Sequence, residues 1–426
     1  MQIAILSSPG AMEHSRKISV GAYMRAGLIG GVGVGVLVPA LIRLQFLYND
    51  PTNSYRNSVI ATSIALVVGY YLYNKFIAYP ARTSYSHVFP TFAMVYGLMF
   101  FVLVMFRIEY SRYQLVMSLF FALLWFYGLI YMSTKAKKIL VGLVPGGTID
   151  KIRHGTIIRT EPLDNPTVKP ELFDAIVADF RADLGLVWEK YVAQAALAGI
   201  PVYHVKQFSE LTTGSVQLEH LSENSFGTII PSLSYARAKR LVDLILGLLM
   251  LVPFTAIIIL SGILIKLTSR GPVFFVQERM GFRGKVFKIY KLRTMQVRKK
   301  NGNSYTEDKD PRVTTIGRFL RKFRIDEFPQ IFNIFLGQMS WIGPRPEAID
   351  LSEQYESAIP FYSYRHIVRP GITGWAQVNQ GNVWDVEAAT TKLNYDFYYI
   401  KYFSPWLDVM ITVKTLAIMA TGFGSR

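Results

Sequence analysis

Four apolar runs, near Ala22–Phe46, Val59–Ala78, Val88–Phe106 and Tyr113–Met132, fill the first third of the chain. Each approaches the ~20 residues that a helix needs to cross the hydrocarbon of a bilayer. Tyr and Trp near their ends suit the membrane interface. The first run is long and closely followed by an apolar partner, which argues against a cleaved signal peptide. Half of the 426 residues are apolar (51%), and the net charge is +17, from 46 Lys+Arg against 29 Asp+Glu. That balance suits anionic headgroups and phosphorylated substrates. Nucleic acid is the rival partner for a basic chain, and the apolar content argues against it. Cysteine is absent, which excludes disulfides and thiolate metal sites.

Charge flanks set the expected orientation. Arg16, Lys17 and Arg25 stand at or before the first span, and Lys135, Lys137 and Lys138 follow the fourth. An even number of spans puts both clusters on one side, and the positive-inside rule makes that side cytoplasmic. Arg107 and Arg112, in the loop between the third and fourth spans, argue the other way.

A polar insert follows, roughly Ala136–Pro231. Lys138–Val144, Thr156–Ile158 and Ile200–His204 read as strands, and Pro170–Phe180 and Trp188–Ala198 carry helical periodicity. This alternation predicts a small Rossmann-like domain. The turn Pro145-Gly146-Gly147 lacks the G-x-G-x-x-G fingerprint, so no dinucleotide is expected. His204 and His220 are expected as ordinary polar or core residues rather than metal ligands.

Leu241–Ile265 is again long enough to span, with Asp243 its one charge and Pro253 near its middle. Arg237, Lys239 and Arg240 precede it, and Lys266 and Arg270 follow. Both flanks favour the cytoplasmic face. A helix that dips in, kinks at Pro253 and returns satisfies both, whereas a fifth span would export the rest of the chain.

In that remainder, Arg318, Arg321, Lys322 and Arg324 precede Asp326-Glu327, and an apolar helix, Ile331–Leu336, follows. Asp326 suits a helix N-cap and Pro329 a first turn, which would offer N–H groups to a phosphate. A carboxylate beside a phosphate can also attack it and form an acyl-phosphate. An acidic cap on a basic surface helix is the plainer alternative. Val286–Met295 reads as a strand with Lys291 and Arg293 on one face and Lys288 on the other. Arg345 lies between Pro344 and Pro346, which stiffen its loop, and Arg369 opens a second glycine-containing loop. Phe319, Leu320, Phe323, Phe328, Ile331, Phe332 and Phe335 recur at helical spacing, as either a core stripe or an interfacial face. Pro405–Met419, with Trp406, has the same character. Asp308-Lys309-Asp310 has the D-x-D form with which metal-dependent glycosyltransferases hold UDP-sugars and release UDP, and it lies in a polar run that also reads as a solvated loop.

The stretches Lys288–Met295, Asp310–Val313, Gly317–Arg321, Asp326-Glu327, Gly343–Pro346, Arg369–Val378 and Tyr395-Asp396 through Leu407-Asp408, in this order, resemble the monotopic phosphoglycosyl transferases, the bacterial sugar transferase family. The resemblance covers about Tyr235–Ala420. The preceding spans and insert are similar to those of the large members, which act on undecaprenyl phosphate. Two departures stand out, Val252 where small members often carry Ser, and Val378-Asn-Gln-Gly-Asn382 where an Arg is frequent.

The resemblance implies an integral membrane α/β protein. It would have a cytosolic tail over 1–20, four N-terminal transmembrane helices over 21–135, and a Rossmann-like cytosolic domain over 136–231. A mostly α catalytic domain would occupy 232–426, with a Pro-kinked re-entrant helix at 237–266 and interfacial helices. It also implies a location at the cytoplasmic face of the bacterial inner membrane and transfer of a sugar-1-phosphate from a UDP-sugar to polyprenyl phosphate. Asp326 would be the nucleophile, and Mg²⁺ the cofactor, with Asp326 the first ligand to test. Glu327 would orient the metal or assist the incoming phosphate. Arg321 and Arg345, framed by Pro344 and Pro346, would bind phosphate or UMP, with Lys291, Arg293 and Arg369 as further contacts. Membrane lipids are expected partners, and a homodimer is one role left open for the spans and the insert. A UDP-releasing glycosyltransferase built on Asp308 and Asp310 and a non-catalytic membrane scaffold are the alternatives.

Overall fold

The computed structural model describes residues 27–46, 52–77, 85–136, 139–149, 158–216, 231, 233–296, 312–380 and 385–421. Arg16, Lys17, Arg25, Lys137, Lys138, His220, Asp308 and Asp310 lie outside them. The chain divides into two compact units, Met1–Gly214 and Ser215–Arg426.

The first unit opens with α1 (27–46, with a π-helical turn at Gly33–Leu37), α2 (Thr52–Ile77), α3 (Tyr85–Met105) and α4 (Arg112–Ala136). α1 packs on α4 and α2, and α3 lies against α2 and α4. Their core is aliphatic and aromatic, with Leu66, Phe92, Ala122 and Phe126 fully enclosed. Gly30 carries no side chain because the Trp125 indole occupies the space, 2.0 Å from where a Cβ would stand. α1, α3 and α4 are long and apolar enough to cross a membrane. α2 is more polar, and its polarity is turned inward. Ser58 and Thr62 are buried, and both donate to carbonyls one turn back. Ile60, Ile64, Val67 and Val68 face out. Hydroxyls spent on their own helix are compatible with hydrocarbon.

The insert holds β1 (Ile139–Leu143), β2 (Ile158–Pro162), β3 (Ala175–Ala178), α5 (Gly185–Leu197), β4 (Val202–His204) and α6 (Val205–Thr213). The strands form one parallel sheet in the order β2-β1-β3-β4. The helix expected over Pro170–Phe180 is instead a short 3₁₀ turn, Pro170–Leu172, followed by β3. All four residues of β3 are buried. A short run that is apolar on every side fits a central strand and a buried helix equally, so periodicity could not separate them.

The second unit is built along α7 (Leu233–Thr268), a 36-residue helix that contains Pro253 and is also long and apolar enough to cross a membrane. β5 (Phe274–Met280) and β6 (Val286–Leu292) form an antiparallel hairpin, from Phe274 opposite Leu292 to Met280 opposite Val286. α8 (Thr315–Lys322), a 3₁₀ segment Ile325–Gln330, and α9 (Ile331–Phe335) follow. β7 (Ser340–Ile342) pairs in parallel with β8 (Gly371–Thr373). α10 (Ile349–Ala358), a 3₁₀ segment Tyr362–Ile367, α11 (Trp375–Asn379), α12 (Val386–Lys401) and α13 (Pro405–Thr421) complete the unit.

Residues of this unit touch α7 from its first turns to its last. Tyr235 and Lys239 both reach Asp408, each at 2.5 Å. Arg240 donates to the carbonyls of Ile334 (2.6 Å) and Phe335 (3.0 Å), and Asp243 accepts from Ser340 (3.0 Å). Phe254, next to Pro253, stacks on Phe328. Ile258 and Ile265 share a core cluster with Leu292 and Leu320. The phenylalanine stripe does not hold as one face. Leu320 and Ile331 are buried, whereas Phe319 and Phe332, their neighbours on the same two helices, are exposed together with Phe323.

Candidate active site

Asp326 and Glu327 lie in the first turn of the 3₁₀ segment, not at the cap of an α-helix. The residue at the cap position is Arg324, whose backbone is left-handed (φ 54). α9 begins only at Ile331 and is five residues long, so the expected helix N-terminus for a phosphate is not formed. What sets the two carboxylates is the tight turn and the β5–β6 hairpin packed beside it.

The two carboxylates differ sharply. Glu327 is buried, and its Oε1 accepts from Lys291 Nζ (3.0 Å) and Arg345 Nη2 (2.9 Å). Its Oε2 is buried with no hydrogen-bond partner among the described residues. Asp326 is half-buried and makes no hydrogen bond or ion pair among the described residues. Burial alone would raise the Glu327 carboxyl, but the charges of Arg345, Lys291 and Arg324 outweigh it and hold it well below the usual carboxylate range. Burial, and then the Glu327 charge, lift Asp326 to about 6, against the pull of Lys291, Arg321 and Arg345. One carboxylate is therefore a fixed anion that gathers cations. The other is unengaged and surrounded by them.

Lys291 comes from the inward face of β6, two residues beyond Ile289. Arg345 comes from the loop after β7. Every residue of that loop from Gly343 to Glu347 has a backbone group tied down. Gly343 N donates to Thr373 O (2.8 Å), and Pro344 O accepts from Gly371 N (2.9 Å). Arg345 O accepts from Arg365 (3.0 Å), Pro346 O from Arg279 (3.1 Å), and Glu347 O from Met280 N (3.0 Å). Gly343 has no room for a side chain, since a Cβ would lie 2.3 Å from the Arg369 carbonyl. Pro344 and Pro346 are buried and serve this loop.

Arg321 Nε donates to Thr294 Oγ1 (2.8 Å), and its charge acts on Asp326. The structure thus brings together Asp326, Glu327, Lys291, Arg321 and Arg345. It does not bring Arg293 or Arg369 to them. Arg293 is buried and donates to the carbonyls of Ser269 (2.9 Å) and Arg270 (2.9 Å), closing the end of α7. Arg369 donates to the Gly337 carbonyl (3.0 Å) and lies over the Phe282 ring. Pro253 adjoins Phe254, whose ring stacks on Phe328 beside the carboxylates.

Arg365, Tyr362, Lys392 and Glu347, which the sequence did not single out, brace the Arg345 loop together with Asp396. Arg365 pairs with Asp396 (2.7 Å) and with the Tyr362 hydroxyl (2.6 Å), and Lys392 pairs with Glu347. Burial opposes the ionised Glu347, yet Lys392 and Arg365 bring it down to about 2. The available signal was the Tyr395-Asp396 motif, whose buried charge demands a partner.

The donors fit a divalent cation. Mg²⁺ usually takes one or two carboxylates together with substrate phosphates and water. Asp326 and the unpartnered Glu327 Oε2 supply that many protein oxygens. No group of three or more His, Cys, Asp or Glu suited to a metal occurs among the described residues, so protein ligands alone would not complete a shell.

Residues 234–422 match the bacterial sugar transferase family. An Aeromonas hydrophila protein named UDP-N-acetylgalactosamine-undecaprenyl-phosphate N-acetylgalactosaminephosphotransferase is 40% identical over 400 residues, 93% of this chain and 94% of its own length. A Klebsiella pneumoniae UDP-glucose:undecaprenyl-phosphate glucose-1-phosphate transferase is 43% identical over 181 residues, 42% of this chain and 39% of its own. A Caulobacter vibrioides protein of the same name is 37% identical over 198 residues, 46% of this chain and 74% of its own. The chain belongs to the bacterial sugar transferase family. It is a transferase, and its apolar helices make it a membrane protein.

Proposed function

We propose that this enzyme transfers a sugar-1-phosphate from a UDP-sugar to undecaprenyl phosphate at the cytoplasmic face of the bacterial inner membrane, as the first membrane step of polysaccharide synthesis. The observation that carries the reading is the asymmetry of the two carboxylates. Asp326 makes no hydrogen bond or ion pair among the described residues, while Glu327 holds Lys291 and Arg345 beside it.

An Asp326 carboxylate oxygen attacks the phosphorus that bears the sugar. The bond from that phosphorus to the bridging oxygen breaks, and UMP leaves with the electron pair. The product is an aspartyl-phosphosugar. An oxygen of undecaprenyl phosphate then attacks the same phosphorus, the Asp326 carboxylate leaves, and the diphosphate-linked sugar is released. Lys291, Arg321 and Arg345 offset phosphate charge in both steps. Glu327, held deprotonated, orients two of those cations and is not a proton carrier. Mg²⁺ held by Asp326 and Glu327 Oε2 would offset further diphosphate charge.

The contacts along α7 support a re-entrant rather than a spanning helix. At 1.5 Å per residue a straight helix of this length would reach ~54 Å, well beyond the ~30 Å hydrocarbon. Contacts from one unit to both ends of α7, through Lys239–Asp408 and Arg293–Ser269, favour a path that keeps both ends on one side of the membrane. The parallel sheet order of the insert supports its Rossmann-like reading.

The test is a panel of UDP-sugars given to purified enzyme with Mg²⁺ and undecaprenyl phosphate, beginning with the N-acetylgalactosamine donor for which the full-length relative is named. UMP release and a labelled phosphosugar on the protein, both lost in Asp326→Asn, are expected. UDP release, or full activity in Asp326→Asn, would overturn the reading.

A further inference from the structure

The cations of the site are not all spent in the same way. Lys291 and Arg345 are committed to Glu327 Oε1, and Arg321 Nε to Thr294. Arg279 donates to the Pro346 carbonyl and to Gln277 Oε1 (2.7 Å). Arg293 and Arg369 are tied to carbonyls away from the carboxylates. Arg324 is different. It is half-buried, its charge acts on Glu327, Asp326 and Arg345, and its guanidinium makes no hydrogen bond or ion pair among the described residues.

Its backbone adds a second observation. Arg324 has φ 54, one of only four non-glycine residues with positive φ among those described. A long side chain in that region costs on the order of 1 kcal/mol. Among the described residues its side chain contributes charge toward Glu327 but no hydrogen bond, so its N–H donors are left without an acceptor there. A ligand that uses the side chain would supply one.

Charge decides what kind of ligand. Lys291, Arg321, Arg324 and Arg345 act on the two carboxylates, Asp326 and Glu327, and Arg279 is shared between Glu327 and Glu347, leaving a surplus of at least two positive charges. A phosphate monoester dianion or a diphosphate matches that surplus. Planar N–H donors that no acceptor among the described residues uses can engage two phosphate oxygens at once.

We propose that Arg324 is a phosphate-binding residue that clamps the oxygens of the donor diphosphate or of the acceptor phosphate against Asp326. This rests on the phosphoglycosyl transfer reading for which phosphate is bound, though not for whether phosphate is bound. The backbone strain makes a clean test available. Arg324→Gly relieves the left-handed turn and removes the cation, so a purely conformational role predicts a variant equal to or better than wild type.

The full-length enzyme in detergent is to be titrated with Mg²⁺-pyrophosphate and, separately, with UDP, following the shift in melting temperature. Wild type is expected to be stabilised, Arg324→Gly to need at least tenfold more ligand while melting no lower than wild type without ligand, and Arg324→Lys to fall between them. Equal binding by Arg324→Gly and wild type, or no stabilisation of wild type by either ligand, would overturn the proposal. The two half-reactions then separate the sources. A weakened UMP burst points to the donor diphosphate. An intact burst with at least a tenfold higher KM for polyprenyl phosphate points to the acceptor. Because the binding assay needs no turnover, failure of wild type to release UMP would sink the reaction assignment and leave the binding result standing.

Discussion

Phe254 lies flat on Phe328, with ring centroids 3.9 Å apart and planes 6° from parallel. The first ring follows Pro253 in the long membrane helix, and the second follows Asp326 by two residues. The turn that carries Asp326 is thereby fixed to the middle of the helix, where Trp341 also meets Phe254 edge-on at 6.0 Å.

Loss of that stack should be felt at both levels. Phe254→Ala removes a half-buried ring and its aromatic pair, a cost of about 2 kcal/mol. The melting temperature should fall, and the turn carrying Asp326 should lose its support, so UMP release should drop at least tenfold. Phe254→Leu, which keeps apolar volume, should recover most of the stability and only part of the rate. Equal rates in the two variants would show that the stack stabilises the fold without positioning the nucleophile.

Asp326 should be costly to the fold. Its carboxyl is raised to about 6 by burial and by the Glu327 charge. A folded-state pKa above the unfolded one means that the native state holds its proton more tightly. Stability therefore falls as pH rises through the unfolded value, and the full penalty is present once the folded group has ionised. Asp326→Asn removes that penalty. It should stabilise the enzyme by on the order of 1–2 kcal/mol at pH 7.5, after allowance for solvent screening, and abolish turnover. A variant that is inactive and also less stable would contradict this account of the site.

The same groups set a pH dependence with opposite signs for two neighbours. Attack requires ionised Asp326, so the UMP burst should decline as pH falls through about 6. Lys291 lowers the Asp326 pKa, so Lys291→Met should move this acid limb to higher pH. Glu327 raises it, so Glu327→Gln should move the limb to lower pH, even though both variants are slower. Movement of both limbs in one direction would mean that another group is being titrated.

What the sequence made legible was local. Asp326-Glu327, Lys291 on the inward phase of a strand and Arg345 between two prolines each announce themselves within a few residues. Their meeting at Glu327 Oε1 spans 36 residues for Lys291 and 18 for Arg345, and only the order of the motifs hinted at it. Arg293 and Arg369 looked equally suitable because a basic residue in a rigid setting is the same signal whether it serves a phosphate or a carbonyl. The braces were less visible still. Arg279 reaches Pro346 across 67 residues, and Arg365 reaches Asp396 across 31. The strand Ala175–Ala178 was missed for another reason. Burial on both faces erases the alternation by which a strand is recognised.

The Arg365–Asp396 pair offers a way to separate stability from geometry. Both side chains are almost fully enclosed, at 2% and 1% exposure. Asp396→Asn leaves the Arg365 charge short of its partner and should cost roughly 3–5 kcal/mol. Replacing the pair together, as Arg365→Met with Asp396→Leu, removes both buried charges and should return much of that stability, since Lys392 and Glu347 remain paired with each other. The double variant still lacks the hydrogen bond from Arg365 to the Arg345 carbonyl. Arg345 would then be held at Pro344, Pro346 and Glu347 but loose at its own peptide. The expected outcome is a melting temperature near that of wild type, with kcat/KM for the UDP-sugar about tenfold lower. Recovery of rate together with stability would reduce the Arg365–Asp396 pair to a core element with no part in aiming Arg345.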